Sequence, residues 1–471
     1  VRNVCLSLIL AAVASAADFH SGQAARAVIG QSSFSAREAG VSAHALSLTH
    51  GRLFAAEANR LVAFDVSKPC TLCGFAPFSI ANQAVMRGVA GVAVAGKVVV
   101  AADPANRRVL IWRSTTSSPG VIGAKQPDVV LTMAEPVSVA YDGRRLFVGD
   151  AAQHHVLVWN ALPNTDDQPA DAILGKAESG SPDAATIGTP SALVSDGTNL
   201  FVADTDNRRI LVFSPGDIDL PEENILNSAS LLATPLAPGT LVTIRAAGLA
   251  NETESAEESS NGPLPTRLAD VEVYLNGSPL PLLLVSPEEI QAQLPYDLAG
   301  GTAGSLYLRS LREDGTALVS SAAAVRIVPA SPGIFAIGTR EPRYGLLLHA
   351  SNEQDAEGGP AKGVPVTNEN PAAPSEVVTV WANGLGLVGA GDADSTEGDT
   401  VLPVSALVDG EPAEVLSARL PRGALGVYEV AVALPAGIAM SGDVRLQLVE
   451  NAVLSNTVIF PVRAAQAKVV R

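Results

Sequence analysis

A segment that recurs four times in the first half constrains this chain more than any other feature. "GTNLFVADTDNRRILVF" (197–213) is echoed by "AGKVVVAADPANRRVLIW" (95–112) and "DGRRLFVGDAAQHHVLVW" (142–159), with a shorter copy in "HGRLFAAEANRLVAF" (50–64). The acidic residues that anchor the copies, Glu57, Asp103, Asp150 and Asp204, stand 46, 47 and 54 residues apart. Each copy reads as an apolar strand, a short polar turn and a second apolar strand, the pattern of a β-hairpin. Another short run precedes three copies: "GVAVAG" (91–96), "PVSVAYDG" (136–143) and "PSALVSDG" (190–197). A fourth element follows two of them, "GVIGAKQ" (120–126) and "AILGKAE" (172–178). One such unit cannot bury its apolar face alone, so the copies must stack. Four strands in about 45 residues is the size of a β-propeller blade.

"PSALVSDGTNLFVADTDNRRILVF" resembles an NHL repeat, most specifically in its Asp-x-x-Asn-x-Arg-Ile element. Asp204, Asn207, Arg209 and Ile210 match it, as do Asp103, Asn106, Arg108 and Val109; the third copy departs, with Gln153 and His155 in the Asn and Arg positions. The resemblance covers residues 27–218 and implies a small propeller. The last copy lacks a trailing "ILG" strand, while "AVIGQSSF" (27–34) stands alone before the first. A strand donated by the amino end would complete the last blade and leave no open sheet edge. Residues 27–218 number 192, or 48 for each of four copies; six blades would leave too little chain for four strands each. Four blades are expected, or five if "PFSIANQAV" (77–85) hides a degenerate one.

The adjacent arginines Arg208 and Arg209 raise the question of a nucleic-acid contact. Alternation along a strand would put one on each face, one pairing with a repeat carboxylate and the other meeting solvent. The structural set of the repeat is then Glu57, Asp103, Arg108, Asp150, Asp204 and Arg209. Charge argues the same way: the chain carries a formal −17, whereas nucleic-acid binding needs a basic footprint. Residues 17–218 are nearly balanced, with 16 Lys/Arg against 18 Asp/Glu, and residues 219–471 hold 14 against 30. His154 and His155, as strand neighbours, would point oppositely and could not grip one ion.

The opening "VRNVCLSLILAAVASAADF" reads as a secretory leader: Arg2, an apolar run over 4–13, and Ala14-Ser15-Ala16 as a small-residue cleavage site. The apolar run is shorter than the roughly 20 residues a membrane span needs, and no later stretch qualifies. Cys5 lies inside this leader, which leaves Cys70 and Cys73 in "KPCTLCGF". Gly74 stands where haem attachment would need His, no second CxxC completes a zinc site, and no βαβ pattern suits a redox couple. A small structural disulfide in an oxidising compartment is the expectation.

Beyond "LPEENILNSAS" (220–230) the texture changes. "APGTLVTIRAAGLA" (237–250) recurs as "APSEVVTVWANGLG" (373–386), and 271–295 recurs loosely as 404–435. Asn276-Gly277 and Asp409-Gly410 are strong hairpin-turn dipeptides. Two units of short alternating strands suggest two Ig-like sandwiches. "LPTRLADVEVYLNGSPLPLLLVSPEEIQAQLP" (264–295) and "SNTVIFPV" (455–462) resemble a carboxy-terminal domain family of secreted acidobacterial proteins, the Solibacter type. That resemblance spans 225–465, brings no catalytic residues, and implies an exported, surface-associated or cell-wall setting.

The expected organisation is all-β: a leader (1–16), an NHL-like propeller (17–218), Ig-like sandwich 1 (219–335), a linker or long loop (336–365) and Ig-like sandwich 2 (366–465). No GxSxG, HExxH, Walker or Rossmann pattern occurs, and the acidic loop "GDADSTEGDT" (391–400) lacks the spacing of an EF-hand. No catalytic, cofactor-binding or metal-ligating residue is assigned, and no cofactor is implied. The expectation is an exported protein, extracellular, periplasmic or at the cell surface, with no integral membrane segment. Its role would be non-enzymatic binding or scaffolding toward a protein or a cell-wall polysaccharide. The competing readings are a propeller hydrolase or lyase with a channel metal, and a purely structural envelope component.

Overall fold

The computed structural model describes residues 19–463 apart from 30, 32, 37–44, 50–51, 57–59, 66–77, 83–90, 96–97, 114–126, 177–180, 257–263, 299–301, 313, 351–362, 390–396 and 439–441. The segment expected as a leader (1–16), Glu57, Cys70, Cys73 and "GVIGAKQ" lie outside the described residues. The chain is all-β, its only described helices being two single 3₁₀ turns.

After the short strand β1 (Ala27–Ile29), the first half forms β2 to β5 (Ala45–Thr49, Arg52–Ala56, Arg60–Asp65, Phe78–Asn82) and β6 to β9 (Val92–Ala95, Val98–Asp103, Arg108–Arg113, Val129–Thr132). β10 to β13 follow (Pro136–Tyr141, Leu146–Asp150, His155–Trp159, Ala172–Leu174), then β14 to β16 (Pro190–Ser195, Leu200–Asp204, Arg209–Phe213). They pair into four antiparallel four-stranded sheets: β2-β3-β4-β5, β6-β7-β8-β9, β10-β11-β12-β13 and β1-β16-β15-β14. "PFSIANQAV" thus supplies β5, the outer strand of the first sheet, and is no fifth unit. The outer strand of the second sheet is "VVLT" (129–132), which pairs with β8, Ile111 opposite Val129. In the last sheet the amino-terminal strand lies against β16, Ala27 opposite Val212 and Ile29 opposite Ile210. β14 packs against both β10 and β2, and β10 packs against β6.

The three described hairpin turns share one device. An Asp ends the leading strand and faces the residue that opens the next: Asp103 opposite Arg108, Asp150 opposite His155, Asp204 opposite Arg209. The residue just before each second strand, Arg107, His154 or Arg208, turns the chain through the left-handed region, with φ of 53°, 56° and 53°. Arg208 and His154 therefore sit in the turn and not on a strand, which corrects the expected alternation of each adjacent pair.

Strands between Ile225 and Arg326 form two five-stranded sheets around one core that includes Val242, Val273, Ile290 and Leu306, while Gly333–Ile334, expected within the same sandwich, pairs into the sheet that follows. The rest forms a single twelve-stranded sheet wrapped around Val380, Val430, Leu446 and Phe460. It bends at the strand Glu411–Leu420, whose start pairs with Val404–Val408 and whose remainder pairs with Tyr428–Ala433. Both Asn276-Gly277 and Asp409-Gly410 carry positive φ at each residue, the requirement of a tight type I′ hairpin. Within the expected linker, Ala336–Ile337, Arg343–Gly345 and Leu347–His349 are strands of this last sheet.

Buried contacts join these parts. Residues 22–26 run from β13 (Gly22 N–H to Ile173 O, 2.9 Å) to Ala322, then to Val212. The Arg26 guanidinium donates to Ser320 O at 2.6 Å and lies 4.5 Å over the Tyr307 ring; burial pulls its pKa down to about 10. A Cβ on Gly216 would meet Ser321 N at 2.0 Å, so only glycine fits this crossing. Further on, Asn383 donates to Leu241 O (2.8 Å) and accepts from Leu241 N–H (3.0 Å). Its amide also reaches Asn227 Oδ1 at 3.3 Å, and Asn227 donates to Ser331 O.

Candidate functional site

The residues singled out from the repeat separate by burial. In the last sheet Arg209 Nε lies 2.8 Å from Asp204 Oδ2, and both side chains are fully buried. Asn207 donates to the same carboxylate at 2.9 Å, and Gly188 N–H to its other oxygen at 2.9 Å. The remaining guanidinium nitrogens donate to Phe34 O and to Thr186 O. A buried charge is tolerated only when paired and hydrogen-bonded, and here the fork of Arg209 meets acceptors from three separate segments. In the second sheet the same pair, Arg108 to Asp103 at 3.0 Å, is partly exposed; hydrogen bonds from Asn106 and Arg108 hold the Asp103 carboxyl below its usual range.

The third copy, lacking the arginine, uses its carboxylate differently. Asp150 accepts from Ala134 N–H (2.9 Å) and Glu135 N–H (3.1 Å), tying β11 to the chain entering β10. His155 occupies the arginine position, its pKa lowered by burial. His154 contacts Gly188 O through Nδ1 at 2.8 Å, so it bridges toward the fourth sheet. Among the described residues no group of three or more His, Cys, Asp or Glu side chains is placed to hold a metal ion.

Sequence reading missed a second buried ion pair. Arg145 Nε lies 2.8 Å from Asp142 Oδ2, with side chains 1% and 5% exposed. Its guanidinium donates to Gly197 O at 2.7 Å in the next sheet and lies against the Phe19 and Phe147 rings. The signal was "DGRRL" beside "DGTNL": the same turn, with an arginine where the later copy has Asn199.

Arg209, through Thr186 O, also braces the wall of a cavity of about 430 Å³ between the loop that joins β13 to β14 and the residues that follow the fourth sheet. Asp183 caps Ala185 and Thr186 N–H at 2.9 and 2.8 Å, which fixes the Thr186 wall. At the rim Lys176 Nζ lies 3.3 Å from Asp183 and 3.5 Å from Glu222. Glu223 and Arg326 add charge of both signs, over an apolar floor of Ile225, Leu236 and Val325. The lining is more polar than apolar and carries charges of both signs.

No protein-family model matches the chain, and no curated protein sequence does. Solved structures align weakly. Fibronectin(III)-like modules of CbhA from Clostridium thermocellum align at 13% identity over 50% of this chain and 95% of that one, TM-score 0.14. PorZ, a surface component of the type-IX secretion system of Porphyromonas gingivalis, aligns at 10% identity over 89% and 86%, TM-score 0.18. The D00-D0 domain of intimin aligns at 15% identity over 52% and 98%, TM-score 0.13. No helix among the described residues is long and apolar enough to cross a membrane.

Proposed function

We propose that the chain is an exported, non-enzymatic binding or scaffolding protein. Residues 17–218 act as a small four-bladed NHL-type propeller that presents an interaction face. Two Ig-like sandwiches follow as spacer or surface-attachment modules, of the kind carried by secreted acidobacterial proteins. The four four-stranded sheets, the β1–β16 pairing and the packing of β14 on β2 support the propeller reading. The observation that carries the scaffold role is the pair of buried junctions, Arg26 with Ser320 and Tyr307, and Asn383 with Asn227 and Leu241. Flexible multi-domain chains join their parts by exposed linkers; here each crossing is desolvated and hydrogen-bonded, which suits a spacer that must hold a face at fixed distance. Small-angle scattering of the purified chain tests this. A single elongated shape that is independent of salt is expected; a broad distribution of shapes would remove the scaffold role.

A further inference from the structure

The outer face of the carboxy-terminal sheet carries a row of exposed side chains across four strands. Trp381, on Val377–Asn383, stands opposite Glu429; Glu429 stands opposite Arg419, and Arg419 opposite Asp399. All four are exposed, Trp381 at 37%. None of the four makes a side-chain hydrogen bond or ion pair among the described residues. The neighbouring row is Thr379, Ala431 and Ser417, small side chains beside the partly exposed indole. Half-buried Phe335 and Leu346 join Trp381 at the other end through Phe335 N–H to Trp381 O and Trp381 N–H to Leu346 O.

The geometry points to this row as a binding platform for a neutral polysaccharide chain lying across the strands. An exposed indole offers an apolar face to the C–H side of a pyranose ring. The carboxylates accept from hydroxyls and the guanidinium donates to them, so a polyol satisfies both signs at once. With two carboxylates to one guanidinium, the row disfavours a polyanion. Strands lie about 4.8 Å apart, close to the length of one pyranose in an extended glycan, so each strand presents one side chain per sugar. This deepens the proposed surface-attachment role and rests on it.

The test is retention of the full chain on insoluble cellulose, chitin and β-1,3-glucan, with Trp381→Ala, Trp381→Phe and Arg419→Ala alongside the parent. Retention on at least one glycan is expected, weakened tenfold or more by Trp381→Ala and Arg419→Ala and partly kept by Trp381→Phe. Soluble oligosaccharide of the retaining glycan should shift the fluorescence of the parent and not of Trp381→Phe, although Trp112 and Trp159 remain. No retention on any of the three glycans, or retention unchanged in Trp381→Ala, overturns the proposal. So does Trp381-dependent self-association in the ultracentrifuge, which would assign the face to a second copy. Loss of glycan retention, or retention that survives Trp381→Ala, leaves the scattering profile of the single chain unchanged, so the two readings fail separately.

Discussion

Glu450 is 1% exposed, and neither of its carboxylate oxygens has a hydrogen-bond partner among the described residues. Burial alone pushes its pKa up from 4.5 to about 8, because a charge in a low-dielectric interior loses its hydration. Between those two values the folded state holds a proton that the unfolded state has released. Stability from this group is thus complete below about pH 4.5 and lost as pH rises through 8. Each pKa unit corresponds to about 1.4 kcal/mol, so the full loss is at most about 5 kcal/mol. Glu450→Gln keeps the shape and removes the titration. Denaturant melts from pH 5 to 9 should show the variant flatter than the parent and more stable at pH 9; parallel curves would refute the assignment.

At the scale of the hairpin, one motif carries two different energies. Asp204→Ala leaves Arg209 buried without its counter-charge, a loss of about 3–5 kcal/mol by analogy with broken buried pairs. Asp103→Ala removes an equivalent partner from the partly exposed Arg108, where solvent takes over, and the loss should be far smaller. Urea melts of the two variants check the order; equal losses would mean that the motif acts through the turn and not through burial. The repeat itself was legible because alternation and the turn Asp survive in three copies, and the Asp-to-Arg spacing in two of them. Burial was not legible, since it depends on Phe34 and Thr186, residues far from the hairpin in sequence. "GVIGAKQ" attracted the fourth-strand reading by likeness to "AILGKAE", whereas pairing with β8 selected "VVLT". The strands inside 336–365 are two or three residues long, too short for alternation to register. The Trp381 row draws on four strands and exists only through cross-strand register.

Across the whole molecule the decisive question is where cooperativity ends. Tyr296 belongs by sequence to the 219–335 unit, yet it packs on the carboxy-terminal core. Asn383 supplies the Leu241 N–H and C=O with partners from the opposite side of the same boundary. Removing that amide strands the buried Leu241 N–H, at a cost of about 1–3 kcal/mol when unsatisfied, while Leu241 O keeps the Ser228 N–H at 3.0 Å. Most of this penalty disappears if the two units separate and water reaches Leu241. Asn383→Ala should therefore weaken the coupling between the units more than it weakens either core. In calorimetry the parent is expected to unfold residues 219–463 in one transition, since neither unit can open without exposing the shared contacts. The variant should resolve two transitions, the lower one shifted furthest. Two transitions already present in the parent would show that the Asn383 contacts ride on independent units, and the rigid spacer would lose its physical basis.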